Sequence, residues 1–218
     1  MRNISIADRI TCAEARVDTE KFGTATLSKD EENACEEARV RLKPHRFYIE
    51  DGKEEGSSQI TLTLERIQIL TRQLINKEKT WRIANGLSPD FHTIVLVDYL
   101  QNIHSEDSTI ENNSEPVRIT KISESLKSLV NATGVHLMAI SQLNREGDSE
   151  EPTMKHLAQS GNLEYQADDI ILMHNRKEQP FITKFKLVKQ REGPLGEWDL
   201  HFVKPFSLFQ NPQTIALP

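Results

Sequence analysis

The sequence predicts an α/β fold with a mostly parallel sheet flanked by helices and an antiparallel hairpin at its C-terminal end. Two patterns predict this class. Amphipathic helical segments alternate with short apolar runs through the middle of the chain, as they do in parallel α/β folds. Near the end, apolar residues alternate with lysines over residues 181–190, and a Gly-Pro turn leads into a second run over residues 197–204, which indicates a hairpin.

Length and composition predict one domain over residues 1–218, because a chain with 37% hydrophobic residues can bury a core. The net charge of −6 argues neither for nor against nucleic acid as a partner. Two cysteines are too few for a disulfide framework. No apolar run approaches the ~20 residues that span a bilayer, and the first residues lack a signal-peptide core. We therefore predict a cytoplasmic protein with no membrane partner.

Three helices are predicted along the chain. Ser28 with Glu31 forms a capping box that begins a helix over residues 29–42. A second helix follows from the apolar spacing over residues 61–79, and a short strand is predicted between the two at residues 46–50. The third helix is predicted to begin at Ser114 and Pro116 and to end at Gly134. Its apolar stripe consists of Ile119, Ile122, Leu126 and Leu129.

Three short apolar runs predict buried strands. The first covers Ile94 to Val97 and runs directly into Asp98. The second lies within residues 135–142 and the third within residues 168–175. In an open parallel sheet, ligands bind at the carboxyl ends of the strands, so the residues that follow these runs are the candidate site.

Asp98 is the first candidate. An apolar strand that ends on aspartate has the form of the Walker B element, whose carboxylate holds Mg²⁺ beside nucleotide phosphates. The alternative is an aspartate that caps the next turn. The strand alone favours neither interpretation.

Gln142, Lys189 and Arg191 are weaker candidates. An uncharged amide at the end of a neighbouring strand, such as Gln142, can sense a γ-phosphate, although an ordinary loop is the simpler interpretation. Lys189 and Arg191 are two residues apart on a strand, so they share a face and suit an anion between them. The simpler alternative for this pair is a solvated face of an edge strand.

Several common catalytic patterns are absent from the sequence. There is no H-E-x-x-H pair, no Cys-x-x-Cys and no G-x-S-x-G elbow. The phosphate-binding pattern G-x-x-x-x-G-K-[ST] is absent as well, because Glu54 follows Lys53 where Ser or Thr is required. The sequence therefore predicts neither a zinc hydrolase nor a serine hydrolase.

Three motifs taken together and in order resemble the DnaB-type replicative helicases. They are "VDYLQ" at residues 97–101, "ISQLNR" at residues 140–145 and "KQREGP" at residues 189–194. The resemblance covers nearly the whole chain and corresponds to the C-terminal RecA-like motor domain from the segment before its second nucleotide motif to its end. It implies a RecA-like fold, and a function in ATP-driven unwinding of duplex DNA by a homo-hexameric ring.

The resemblance also implies roles for individual residues. Asp98 would be the Walker B carboxylate that binds Mg²⁺, and Gln142 would be the γ-phosphate sensor. Lys189 and Arg191 would reach into the ATP site of a neighbouring subunit, with Arg191 as the arginine finger. The loop that contacts single-stranded DNA would contain Gln159, Ser160, Gly161 and Asn162.

The chain departs from the family pattern in two ways. The P-loop strand and the catalytic glutamate of the family have no match, and Met1 aligns just after that glutamate. ATP and Mg²⁺ are therefore expected as cofactors of the intact family, whereas we expect this truncated chain alone to bind neither. The loop after Asp98 is acidic, and Ala158-Gln159 stands where relatives have Arg-Glu, so single-stranded DNA binding is expected to be weak or lost.

Two functions follow from this resemblance. The chain is either the C-terminal part of a DnaB-type helicase or a degenerate, non-catalytic RecA-like module that assembles with or regulates a helicase or recombinase ring. A general RecA-like ATPase shares the strand-Asp element, but "VDYLQ" together with "KQREGP" favours the helicase family over it.

Overall fold

A computed structural model of the chain describes residues 3–50, 62–143, 151–157, 163–175 and 179–212. These residues form two compact units. The first unit combines Met1–Asp51, Ile171–Val188 and Glu192–Pro218, and the second combines Gly52–Ile170 with Lys189–Arg191. The chain therefore passes between the units within its C-terminal strands.

The first unit begins with three helices: α1 (Asn3–Ala15), α2 (Thr19–Gly23) and α3 (Lys29–Leu42). The predicted capping box is confirmed at α3, where the Glu31 backbone N–H donates to Ser28 Oγ and the Ser28 backbone N–H donates to Glu31 Oε2 at 2.8 Å. Helices α1 and α3 pack together. Cys12 and Cys35 are buried and free, so neither forms a disulfide.

Four strands form the sheet of this unit, in the order β3–β4–β5–β6. Their bounds are β3 (Asp169–Asn175), β4 (Ile182–Gln190), β5 (Gly196–Val203) and β6 (Leu208–Gln210). The predicted hairpin is confirmed, because β4 and β5 pair antiparallel with Phe185 opposite Trp198. Strand β3 lies beside β4, so the antiparallel part of the fold is larger than the sequence predicted.

The short strand predicted at residues 46–50 is wrong. The structure has no strand over Arg46–Glu50. A strand is stabilised by hydrogen bonds to a neighbouring strand, and none of the described strands pairs with this segment. Its apolar and aromatic residues were therefore insufficient to predict a strand.

The second unit contains α4 (Leu64–Ala84), β1 (Ile94–Val97), α5 (Ser108–Glu111), α6 (Glu115–Thr133), β2 (His136–Ala139) and the short α7 (Leu163–Gln166). Strands β1 and β2 pair in parallel, with Val97 opposite Ala139. The predicted bounds of α6 are confirmed, since Ser114 is its N-cap and Gly134 ends it at φ 72°. The predicted stripe of α6 is fully buried.

The core of the second unit lies on one side of the β1–β2 sheet. There α4 and α6 contribute Leu64, Ile67, Ile122 and Leu126, which pack with Val97 of β1. The prediction that these strands are buried is correct for this face only. On the other face of β1, which we call the open face, Ile94 and Leu96 are 71% and 61% exposed.

Along the described ranges of the chain, no helix has the length and apolar character that a membrane span requires.

Candidate functional site

Asp98 and Gln142 lie at the same edge of the parallel sheet. Asp98 directly follows β1, and Gln142 lies three residues beyond the end of β2. Two backbone hydrogen bonds join the segments that follow β1 and β2: Ile140 N donates to Val97 O and Leu100 N donates to Ile140 O, both at 2.9 Å. The structure therefore brings together the two residues that the resemblance assigns to nucleotide and metal.

Gln101 connects the loops that follow the two strands, a role that no sequence pattern predicted. Its side-chain Nε2 donates to Ser141 Oγ at 3.0 Å, and its Oε1 accepts from the backbone N–H of Gln142 at 3.3 Å. One amide thus ties the loop after Asp98 to the loop that carries Gln142. The sequence signal for this role was the position of Gln101 within "VDYLQ", three residues after Asp98. A side-chain amide can donate one hydrogen bond and accept another, so it can join two loops.

Arg118 is a second residue that sequence reasoning missed. Its guanidinium is buried and donates to the backbone carbonyls of Gln101, at 3.1 Å, and of Ile103. Those carbonyls belong to the loop that leaves Asp98, so α6 fixes the path of this loop. The available signal was spacing: Arg118 lies four residues before Ile122, on the apolar stripe of its helix.

The Asp98 side chain is exposed, and within the described part of the chain its carboxylate has no hydrogen bond or ion pair. The Asp98–Tyr99 peptide bond is cis. Among the described residues, no group of three or more His, Cys, Asp or Glu side chains is placed so that it could hold a metal ion. Magnesium in nucleotide sites takes one or two carboxylates and completes its coordination with water and phosphates. Asp98 therefore fits the protein's share of a magnesium–nucleotide site, and it fits no all-protein metal cage.

Lys189 binds the C-terminal end of helix α7. Its Nζ donates to the backbone carbonyls of Glu164 and Ala167, the latter at 2.8 Å. The last carbonyls of a helix lack partners within the helix, and a cation is favourable there. Lys189 thus has a structural role in positioning α7, which directly follows the predicted DNA loop.

Arg191 forms an ion pair with Asp168, with Nη1 and Oδ1 2.9 Å apart. Lys127 of α6 contacts the other carboxylate oxygen of Asp168. The hydrogen bond from Lys127, followed by that from Arg191, lowers the pKa of Asp168 below its ordinary value. The Arg191 side chain is 73% exposed, and exposed pairs of this kind contribute about 0–1 kcal/mol. Arg191 can therefore exchange this partner for another anion at little cost.

The two halves of the predicted site differ in their surroundings. Asp98 and Gln142 share one sheet edge, whereas Lys189 and Arg191 bind groups on α7 and Asp168. Among the described residues, no hydrogen bond joins one pair to the other. The predicted DNA-contacting residues, Gln159 to Asn162, lie outside the described residues.

Carboxylates of α4 and α5 bind the acidic loop that follows β1. Glu65 of α4 accepts from Ser105 Oγ at 2.6 Å and from the backbone N–H of Glu106 at 3.0 Å. Burial raises the pKa of Glu65, but these hydrogen bonds outweigh it and lower the pKa. Glu111 contacts His104 Nδ1 at 2.6 Å, and this contact lowers the pKa of Glu111. Contacts with the loop therefore stabilise the ionised form of both carboxylates.

Comparison with protein families gives a match over nearly the whole chain. The family model described as "DnaB-like helicase C terminal domain" matches residues 1–211. Among curated relatives, the replicative DNA helicase DnaB of Buchnera aphidicola (Baizongia pistaciae) is 32% identical over 97% of this chain and 43% of its own length. The replicative DNA helicase DnaC of Bacillus subtilis is 26% identical over 93% of this chain and 42% of its own length. The chain thus spans less than half the length of these relatives.

Comparison with solved structures supports the same fold. One solved structure, described as an ATPase domain, superimposes with a TM-score of 0.81 at 25% identity, over 97% of this chain and 71% of that domain. A DnaB-like replicative helicase, described with its interactions with primase, gives the same TM-score at 24% identity over 97% of this chain and 48% of its own. The α/β, RecA-like fold that the sequence predicts is confirmed.

Proposed function

Because the chain belongs to the DnaB-like helicase C-terminal domain family, we propose that it is the C-terminal part of a DnaB-type replicative helicase. Such an enzyme uses ATP to unwind duplex DNA as a hexameric ring. The observation that carries the proposal is the sheet edge at which Gln101 joins the loop after Asp98 to the loop of Gln142. This is where an open α/β sheet binds its ligand. Since the curated relatives are replicative helicases, we also propose a cytoplasmic location.

Each residue at this edge has a proposed task. A bound magnesium–ATP would supply the reactive phosphates and a positive charge to stabilise them. Asp98 would bind the magnesium with its exposed carboxylate, directly or through water. Gln142 would donate to, or accept from, groups at the γ-phosphate through its exposed amide. Gln101 and Arg118 would position these two residues without contacting the nucleotide.

Arg191 is proposed to act on the ATP site of a neighbouring subunit, and Lys189 is proposed to join it there after releasing the carbonyls of Glu164 and Ala167. The support is the exposure of Arg191 and the small cost of releasing it from Asp168. Arg191 would stabilise the charge that develops on the transferred phosphoryl group, as arginine fingers do. The residues from Gln159 to Asn162 are proposed to contact single-stranded DNA, weakly because the adjacent cations of the family are absent.

ATP binding by the chain alone tests the role of the missing phosphate-binding pattern. Without G-x-x-x-x-G-K-[ST] among the 218 residues, few backbone N–H groups are available to bind the phosphates. We expect no micromolar binding of a fluorescent ATP analogue with or without Mg²⁺. Saturable, Mg²⁺-dependent micromolar binding by the chain would contradict this part of the proposal.

The trans role of Arg191 is tested by mixing the chain with the Bacillus subtilis relative. We expect mixed rings in native mass spectrometry and a change in ATP turnover that the R191A variant abolishes while mixed rings persist. R72A is the matched control, because Arg72 is an exposed arginine of α4 in the same unit. If R191A and the unaltered chain change turnover equally, the trans role is wrong.

The second candidate function is a non-catalytic RecA-like module that assembles with or regulates a helicase or recombinase ring. The absence of the phosphate-binding pattern favours it. Both candidates predict no ATP binding by the chain alone and a change in turnover on mixing. They are separated by joining the chain to a phosphate-binding segment of a DnaB-type relative: a helicase part should then turn over ATP, whereas a module should not. If the chain affects neither ring formation nor turnover, the module interpretation fails.

A further inference from the structure

A short segment that includes helix α7 binds both cations of the "KQREGP" motif. Lys189 Nζ donates to the backbone carbonyls of Glu164 and Ala167, the latter at 2.8 Å. Arg191 Nη1 lies 2.9 Å from Asp168 Oδ1. We call residues 164–168 the holding segment. The two cations that suit a phosphate are thus already bound within their own chain.

The holding segment and the tripeptide that it binds lie in the same compact unit. That unit contains Gly52–Ile170 and Lys189–Arg191, whereas the parts of the chain on either side of the tripeptide belong to the other unit. The contacts of the holding segment with Lys189 and Arg191 are therefore internal to one folded body.

Lys127 binds the holding segment from α6. Its Nζ contacts Asp168 Oδ2, while Arg191 contacts the other carboxylate oxygen. The contacts with Lys127 and then Arg191 lower the pKa of Asp168, so the carboxylate stays ionised and shares its charge between two cations. Two cations on one carboxylate repel each other. Lys127 therefore weakens the hold of Asp168 on Arg191.

We propose that the holding segment competes with phosphate for Lys189 and Arg191. A guanidinium binds carboxylate and phosphate oxygens with the same donor geometry, and an ammonium binds a carbonyl or a phosphate oxygen. A phosphoryl anion therefore has to displace Asp168 from Arg191 and the α7 carbonyls from Lys189. The proposal rests on the proposed function in one respect, namely that the natural anion is the ATP of a neighbouring subunit. Asp168 is then a positioning residue, which acts through Arg191 without contacting the nucleotide.

Competition of this kind fixes the direction of each effect. The apparent affinity of an anion is lowered by the fraction of molecules in which the cations are already bound to the holding segment. Anion binding must in turn loosen the holding segment, because coupling between two binding equilibria is reciprocal. The backbone N–H of Ala167, which donates to Leu163 O at 3.1 Å, is a reporter within the holding segment.

Binding of inorganic tripolyphosphate to the chain alone tests the competition. Phosphorus-31 NMR at constant ionic strength gives the midpoint of the titration. D168N should lower the midpoint about threefold, as expected for the loss of an exposed ion pair, and D169N, the adjacent aspartate, should leave it unchanged. K127M should raise the midpoint, because Asp168 then binds Arg191 alone. Its matched control is K121M, since Lys121 of the same helix binds the Thr109 carbonyl instead.

Hydrogen exchange at the Ala167 amide tests the reciprocal effect. Tripolyphosphate should speed this exchange in the unaltered chain. K189M should speed it without the anion, and adding the anion should then have no further effect. K186M is the control, because Lys186 of the same strand pairs with Glu197 at 3.2 Å and should leave exchange at Ala167 unchanged.

Opposite shifts by D168N and K127M distinguish competition from a structural role, since a general loosening of the fold would move both midpoints in the same direction. Shifts in the same direction would overturn the proposal. It would also be overturned if tripolyphosphate did not bind, or bound without changing exchange at Ala167. If D168N does not fold, K127M and K189M test the same competition with Asp168 in place.

The proposed function is tested separately, in the mixed rings with the Bacillus subtilis relative. If the midpoints shift as expected but R191A changes turnover as the unaltered chain does, the trans role is contradicted and the competition stands. If the midpoints do not shift, the competition fails whatever the turnover.

Discussion

The two faces of the β1–β2 sheet carry similar residues and have opposite surroundings. Val97 packs in a core formed with α4 and α6, whereas its neighbour Leu96 is 61% exposed. Both are apolar and both belong to one four-residue strand. Residue type alone therefore does not determine burial. What decides it is whether a second layer of structure is present.

The comparison also explains where the second unit derives its stability. Burial of apolar surface contributes about 25 cal/mol per Å², and only the face toward α4 and α6 gains it fully. The buried guanidinium of Arg118 and the amide of Gln101 then fix the loops at the carboxyl end of the sheet. The candidate site is thus built on the packed face, and Asp98 extends beyond it at the end of the open face.

The largest expected effect comes from the core beneath the packed face. Ile122 of α6 is fully buried, and its replacement by alanine should lower the free energy of unfolding by about 2–5 kcal/mol, because it leaves a cavity. Val117→Ala, on the exposed side of the same helix, should change it by less than about 0.5 kcal/mol. Urea denaturation of the full chain measures both. Equal effects would mean that α6 does not pack as described.

Substituting threonine on each face of β1 in turn allows the contribution of the two faces to the free energy of unfolding to be compared. Val97→Thr keeps the side-chain shape but buries a hydroxyl, which should cost about 1–3 kcal/mol. Leu96→Thr places the same residue on the open face and should change the free energy of unfolding by less than about 0.5 kcal/mol. Denaturation of the two variants side by side provides the measurement. A large loss for Leu96→Thr would show that the open face is covered in the isolated chain.

The smallest effect is expected at the exposed ion pairs, and it depends on pH. Lys127 and then Arg191 lower the pKa of Asp168, so the folded protein favours the ionised carboxylate. This stability is present above the ordinary carboxyl pKa of about 3.9 and is lost as the pH falls through the lowered value. Asp168→Asn should therefore cost about 1 kcal/mol or less at pH 7 and reduce the acid sensitivity of unfolding.

Asp169→Asn is the control for this measurement, because Asp169 is the adjacent exposed aspartate and has no ion pair among the described contacts. Its acid sensitivity should equal that of the unaltered chain. If both variants behave alike in denaturation between neutral and acidic pH, the Lys127–Asp168–Arg191 contacts do not persist in solution.

Local patterns predicted α3, α6 and the hairpin well, and they predicted α4 at residues 61–79 where the structure has Leu64–Ala84. The capping box at Ser28 and Glu31, the stop at Gly134 and the buried stripe of α6 each depend on residues close in sequence. The strand predicted at residues 46–50 failed because a strand depends on a partner that can lie anywhere in the chain. For the same reason, the apolar run of β3 could not predict that β3 pairs with β4.

The candidate site likewise combines features set by residues close in sequence with features set by distant partners. Sequence by itself determined that Asp98 and Gln142 follow two apolar strands, because strand order is a local property. The shared face of Lys189 and Arg191 stays a prediction, since β4 ends at Gln190, one residue before Arg191. Only the tertiary structure decided that Gln101 joins the first pair, that Arg118 fixes their loop, and that Asp168 binds Arg191. It also decided that half of the apolar sheet is exposed. These outcomes depend on contacts between residues far apart in the chain. Helical spacing places Arg118 on the buried stripe of α6, but it does not identify the carbonyls that Arg118 binds.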